Sequence, residues 1–298
     1  MKLFTIAAYR CRTLILASAV IATLVWIAVD LTLLRGIAVS TRIRLSISLL
    51  AVLVLALVSA LSVIGPRVLP HSPVKLVHSP VTGPWTGMNS PASSVPSHGT
   101  RAYGQAYAID LVHEPDSPGS RPEFGGPVFR EAKEYPAFGE PVLAMVGGTV
   151  VGVTSYHRDH AARSNILGVM YKMVEGIFRS VGGPRFVIGN HVVIRTAGSV
   201  FATVAHLQRG SVTVKVGDHV QAGEQIGRCG NSGNSSEPHV HAQLTDRSSF
   251  WTAEGIAVAF RGIVLTGESS CAPVDGLPEN GETMTWYPAT SASREEEQ

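Results

Sequence analysis

Apolar and polar positions follow three rhythms along this chain of 298 residues. In the first there is no alternation at all: residues 13–34 (TLILASAVIATLVWIAVDLTLL) and 45–64 (LSISLLAVLVLALVSALSVI) are continuously apolar, with Asp30 their single charge. About 20 such residues cross the hydrocarbon core of a bilayer, and helices buried in soluble proteins rarely lack charge over that length. The run is also longer than the ~7–15 residue apolar core of a secretory signal. Two transmembrane helices are predicted, at about 13–34 and 45–64.

The second regime begins at Pro66. Residues 67–88 are rich in Pro, Ser and Gly, a composition that resists helix and regular sheet, and they read as a linker. From about Gln105 a third pattern takes over, with short β-type runs between turn signals: AYAIDLV, PVLAMVGGTVVGVT, HVVIRT, VFATVAHL, SVTVKVGDHV, QIGRCG and HVHAQL. This predicts a mainly antiparallel β domain over 89–265, followed by a C-terminal extension, 266–298, whose polar end SASREEEQ reads as disordered. One segment, 165–183, breaks the β rhythm. Ile166, Met170, Met173, Val174 and Ile177 recur at helical spacing. The plain expectation is an inserted amphipathic helix packed on the sheet by that face; a lid over a cleft or a surface touching a membrane are the alternatives.

Composition changes the picture only in part. The 45% hydrophobic and 15% charged residues agree with a membrane-embedded portion. A net charge of +2, without a basic block interleaved with aromatics, points away from nucleic acid. Lys2, Arg10 and Arg12 precede the first apolar span, Arg35, Arg42 and Arg44 lie between the spans, and Arg67 and Lys75 follow the second. Positive-inside counting gives no clear orientation and leans slightly toward cytoplasmic termini. Of the three cysteines, Cys229 and Cys271 fit either one disulfide or two buried thiols.

The chemistry lies in the histidines, of which there are 11. His71, His78, His157, His160 and His219 stand in loop-like surroundings where a solvated ring is the default. His239 and His241, one residue apart in a strand-like run, project from the same face. His98 precedes Asp110, and Asp110 sits in an apolar run where an ionised carboxylate is costly unless paired or metal-bound. His206 closes the run VFATVAHL and, taken alone, reads as a satisfied core histidine. Zinc in catalytic sites takes three N or O protein ligands and keeps a fourth position open. His98, Asp110 and one of the strand pair supply that number, leaving His206 and the other strand histidine for proton transfer near neutral pH.

The segments SHGTRAYGQAYAIDL, GEPVLAMVGGTVVGV, GNHVVIRT and ATVAHLQRGSVTVKVGDHVQAGEQIGRCGNSGNSSEPHVHAQL resemble the lysostaphin-like zinc endopeptidases, peptidase family M23 or LytM domain. The resemblance implies zinc bound by His98, Asp110 and His241, with His206 and His239 as catalytic histidines. It also implies a peptide of bacterial peptidoglycan as substrate, which requires the peptidase domain, anchored by the two apolar spans, to lie on the outer face of the bacterial cell membrane against the slight lean of the charge count. Eleven residues separate His98 from Asp110 where common members have three, so His113 or His191 stand as replacements for His98. No H-E-x-x-H helix is present. The competing readings are a non-catalytic LytM-type activator of other wall hydrolases, a peptidase acting on a protein, and a phosphoryl carrier, the last disfavoured because Asp110 would repel phosphate.

Overall fold

In a computed structural model of the chain, residues 2–32, 41–69, 72–115, 120–266 and 272–287 are described. The loop arginine Arg35, His71, Cys271 and the polar tail fall outside them. Contacts divide the chain into two compact units, residues 1–71 with 180–183, and residues 72–179 with 184–298.

The first unit is helical: α1 (Lys2–Arg10), α2 (Arg12–Thr32) and α3 (Thr41–Val68). Helix α2 carries residues 13–32 of the first apolar span and α3 carries the second, and both are long and apolar enough to cross a membrane. Asp30, the charge inside the first span, meets Arg44 Nη2 at 3.1 Å near the start of α3. This pairing neutralises the acid at the end of the apolar segment.

The second unit carries the remaining elements in chain order: β1 (Lys75–Val77), β2 (Gly83–Met88), β3 (Ile109–His113), β4 (Phe129–Arg130), β5 (Pro141–Leu143), β6 (Gly148–Thr154), β7 (Ala162–Arg163), α4 (Ile166–Gly182), α5 (Pro184–Ile188), β8 (His191–Arg195), β9 (Phe201–Ala205), β10 (His219–Val220), β11 (Gln225–Arg228), β12 (Val240–Thr245), β13 (Gly255–Ile256), β14 (Val258–Leu265), β15 (Val274–Gly276) and β16 (Thr283–Trp286). One large sheet runs β1-β14-β16-β2-β3-β12-β9-β8-β6-β10, with β13 added to β12 and β15 to β14. Every pairing in it is antiparallel except β1 with β14. Trp85, Ile109, Leu111, Ile194, Leu244 and Phe260 are fully buried in the core that this sheet makes. Burying such a side chain is worth about 1.5–3 kcal/mol.

The architecture is the expected one, two N-terminal apolar helices followed by a mainly antiparallel β domain with an inserted helix. Several local expectations fail. The Pro/Ser/Gly-rich segment 67–88 supplies β1 and β2, and the extension beyond 266 supplies β15 and β16, all hydrogen-bonded into the sheet. Trp85, Met284 and Trp286 anchor these strands in the core, a tertiary gain that outweighs the local bias against sheet. The run SVTVKV pairs with no strand; Val212 and Val214 pack on the core from a loop instead.

The inserted helix is present, but its packing is the reverse of the plain expectation. Met170, Met173, Val174 and Ile177 are exposed, while Lys172, Glu175 and Arg179 turn inward. The inward charges are held by Arg163: its Nη2 donates to Glu175 Oε2 at 2.5 Å, and Arg179 Nη2 donates to Glu175 Oε1 at 2.7 Å. Cys229 is a free thiol buried in the core, and its expected partner Cys271 lies outside the described residues.

Candidate metal centre

Register across four neighbouring strands brings the chemistry together. In the order β2-β3-β12-β9, Met88 pairs with Asp110, Asp110 with His241, and His241 with Ala205. Asn89 and His206 follow at the ends of β2 and β9. Period-two alternation along β12 sends Val240, Ala242 and Leu244 to the core, and puts His241 and Gln243 on the opposite face. His239, just before β12, continues that face.

The donors converge. His98 Nε2 lies 3.2 Å from both Asp110 oxygens, and His241 Nδ1 lies 2.9 Å from Asp110 Oδ1. His239 Nε2 is 3.5 Å from the same oxygen. His206 stands beside the group, its ring centroid 4.7 Å from that of His239 and 5.7 Å from that of His241. Thus His98, Asp110, His241, His206 and His239 occupy one buried site. His113 and His191 do not join it: His113 hydrogen-bonds Pro84 O and lies on Trp85, and His191 hydrogen-bonds Gly189 O. Among the histidines expected to be solvated, His160 is instead packed in the protein, with Nε2 2.8 Å from Gly233 O.

The outer contacts of the rings fix where their protons sit. Gln243 Nε2 donates to Tyr103 O at 3.1 Å, which turns Oε1 toward His241 Nε2 at 2.9 Å. His241 therefore carries its proton on Nε2, and a lone pair on Nδ1 faces Asp110. Ser97 Oγ spends its single proton on Ala108 O at 2.7 Å, so it accepts from His98 Nδ1 at 3.1 Å. A lone pair on His98 Nε2 then also faces the carboxylate. Two imidazole lone pairs and a carboxylate pointed at each other repel unless a cation stands between them. Tetrahedral zinc, with bonds of about 2.0–2.1 Å, spaces its ligand atoms by roughly 3.3 Å, close to the separations here. His98, Asp110 and His241 thus form a donor set that fits a metal ion.

Positive charge is what stabilises this carboxylate: burial alone would raise the Asp110 carboxyl, but His98 and His239 as cations, with His239 and His241 as donors, outweigh it and hold it well below the usual carboxylate range. His206 is pushed well below the ordinary imidazole value by burial and by His239 and His241. Burial lowers His239 too, yet Asp110 outweighs it and raises that ring. His206 Nδ1 donates to Ser232 O at 2.8 Å, and His239 Nδ1 to Glu237 O at 2.8 Å. Both rings therefore keep Nε2 for chemistry.

Backbone strain collects at the same place. Four described non-glycine residues have positive φ, and of these His206 (61°) is in the site, Asn89 (46°) donates to Asp110 Oδ2 at 2.8 Å, and Tyr103 (58°) holds Gln243. Each such conformation costs about 1–3 kcal/mol and persists where surrounding structure enforces it. Gly104 has φ +77°, and a Cβ there would stand 2.4 Å from Thr245, so glycine lets this turn close over β12. Asn89, Ser97, Tyr103, Gln243, Ser232 and Lys172 are members the sequence did not announce. Only Gln243 carried a readable signal, being two residues beyond His241 on the same face. Lys172, from the inward side of α4, interacts electrostatically with Asp110 and His239. A cavity of about 320 Å³, lined in part by Arg121, Tyr135, Arg163 and Glu237, adjoins the site through Glu237.

An antiparallel β domain with a buried histidine and carboxylate cluster that fits a metal is the class of protein defined so far. Residues 134–251 match the family model described as Peptidase family M23. His206, His239 and His241 lie inside the match; His98 and Asp110 lie before it and are joined to it by the sheet. The chain is similar in structure to the catalytic domain of the antimicrobial peptidase lysostaphin from Staphylococcus simulans (21% identity, TM-score 0.30, covering 50% of this chain and 74% of that one). It is also similar to a variant of the catalytic domain of the prophage-encoded M23 protein EnpA from Enterococcus faecalis (23%, TM-score 0.28, 49% and 87%). A third is the M23 metalloprotease pseudoalterin from the deep sea (16%, TM-score 0.33, 74% and 99%). At these identities and TM-scores the likenesses bear on neither substrate nor residue roles.

Proposed function

We propose that this protein is a membrane-anchored zinc endopeptidase that hydrolyses peptide bonds in peptidoglycan cross-links, with α2 and α3 as its anchor and the peptidase unit on the outer face of the bacterial cell membrane. The observation that carries the reading is the convergence of His98 Nε2 and His241 Nδ1 on the Asp110 carboxylate, three ligand atoms placed as one metal's donor set. The M23 match supports the peptidase class, and the apolar length of α2 and α3 supports the anchor. The domain that acts is taken as the whole second unit rather than 89–265, because β1, β2, β15 and β16 belong to its sheet.

His98 Nε2, Asp110 and His241 Nδ1 would hold the zinc. Bound there, zinc supplies positive charge that acidifies water and polarises a carbonyl. His206, neutral because burial lowers its pKa, presents Nε2 as the acceptor for the proton of the attacking water. His239, whose proton affinity Asp110 raises, presents Nε2–H to the charge developing on the carbonyl oxygen and then to the leaving amine. Ser232 O and Glu237 O hold the two rings in place while the protons move.

The test is release of new amino groups from purified peptidoglycan by the zinc-loaded full-length chain, beside His241→Ala. Release by the parent and its loss in the variant is the expected result. No release from several wall types would overturn the wall substrate, and failure to retain zinc would overturn the enzyme.

A further inference from the structure

Helix α4 is inside out. At about 100° per residue, Gly168, Lys172, Glu175 and Arg179 fall within an arc of roughly 60°, and this polar arc is the side turned to the protein. Met170, Met173, Val174, Ile177 and Phe178 fill the opposite side and are 55–73% exposed. A surface helix ordinarily does the reverse. Nor can α4 roll over to hide its apolar side. Glu175 is clamped between Arg163 and Arg179, with the Arg163 side chain 4% exposed. A Cβ on Gly168 would stand 2.7 Å from Val128 O, so the helix is also seated tightly along its polar arc.

The apolar surface continues past the helix. Phe129, itself exposed, meets Tyr171 edge to face at 5.6 Å. At the other end Arg179 Nη1 donates to Phe186 O, Phe186 meets His157 edge-on at 5.8 Å, and exposed Tyr156 stacks on His157 at 4.5 Å. Exposed Arg185 follows directly. An apolar helix face flanked by aromatics and an exposed arginine, Arg185, whose guanidinium carbon lies 4.6 Å over the Phe186 ring, is the composition that settles at a bilayer surface. Chain connectivity supplies that surface: only residues 69–74 separate α3 from β1, which limits the reach to roughly 25 Å.

We infer that the outward face of α4 is a lipid-docking surface that lies in the interface of the membrane spanned by α2 and α3. The inference rests on the anchoring reading above. It adds a second, peripheral attachment, made by the same helix whose inner side brings Lys172 near Asp110 and His239.

The test uses the full-length chain with Cys11→Ser and Cys271→Ser, leaving buried Cys229 unlabelled. An environment-sensitive fluorophore is placed singly at Met173→Cys, at Leu53→Cys in the middle of α3, or at Val216→Cys on an exposed loop. Each is reconstituted into phosphatidylethanolamine and phosphatidylglycerol vesicles carrying nitroxide lipids labelled near the headgroup or near the bilayer centre. The expected result is loss of Met173 fluorescence mainly to the shallow nitroxide, loss of Leu53 fluorescence mainly to the deep one, and none at Val216. Adding Ile177→Glu to the Met173 variant should abolish its quenching. An unquenched Met173 probe beside a quenched Leu53 probe overturns the docking surface and leaves the anchor standing. Both unquenched overturns the anchor and the inference with it. A Met173 probe that is blue-shifted, unquenched and sensitive to the protein-to-lipid ratio shows a second copy on the face and overturns lipid docking.

Discussion

Replacing Gln243 by leucine tests the proton bookkeeping on which the metal centre depends. Gln243 touches no donor atom that faces the cluster; it acts only by accepting from His241 Nε2, with its amide turned the right way by Tyr103 O. Both side chains are buried, at about 1% exposure, so water cannot replace the lost acceptor. Losing an outer partner of a metal-binding histidine weakens metal by about 10–100-fold, equivalent to about 1.4–2.7 kcal/mol. The orphaned Nε2–H costs a further ~1–3 kcal/mol of fold stability. Competition for zinc against a chromophoric chelator measures the first effect, and thermal unfolding of the metal-free chain the second. An affinity within about threefold of the parent, in a variant that stays folded, would refute the assignment of the His241 proton and with it the claim that the lone pair on Nδ1 calls for a cation.

Two further predictions concern the scaffold. Glu175→Ala strips the counter-charge from buried Arg163 and should cost about 3 kcal/mol, a fall in Tm of roughly 6–12 °C for a unit of this size. Lys133→Ala, which breaks an exposed contact with Glu131, should leave the melt unchanged, and equal shifts for the two would sink the argument from burial. His191 is buried and its pKa is lowered, chiefly by burial. Below about pH 6.5 the unfolded ring takes up a proton that the folded ring refuses, so its share of stability is complete at higher pH and is lost as pH falls. His191→Leu should flatten the acid limb of stability against pH by at most about 1.4 kcal/mol per pH unit, and an unchanged slope would remove His191 from that account.

Much of the architecture is legible in one dimension because its causes are local. Uninterrupted apolar length writes α2 and α3, and alternation writes β3, β6, β8, β9 and β12. The helical period at 166–177 writes α4, but says nothing of which side meets the protein. Arg163, from the two-residue strand β7 just ahead of the helix, decides that by clamping Glu175. Strands β1, β2, β15 and β16 escape for a related reason: a few residues with Pro, Gly or Thr become strands only when Trp85, Met284 and Trp286 reach a core built by others.

By itself the sequence determined which residue types were available for chemistry and that His239 and His241 share one face, since a strand's period of two is a property of the backbone. It also determined that the chain has two segments able to cross a bilayer. Only the tertiary structure decided that His98 and Asp110, 131 residues from His241 in the latter case, close on the same point. It alone set the ring protons through Gln243, Ser97, Ser232 and Glu237, and turned the apolar side of α4 outward. The decisive contacts among these join residues far apart in sequence, Asp110 with His241, Tyr103 with Gln243 and His206 with Ser232. Such partners have no local signature, because their energy exists only once register and topology have brought them within about 3 Å.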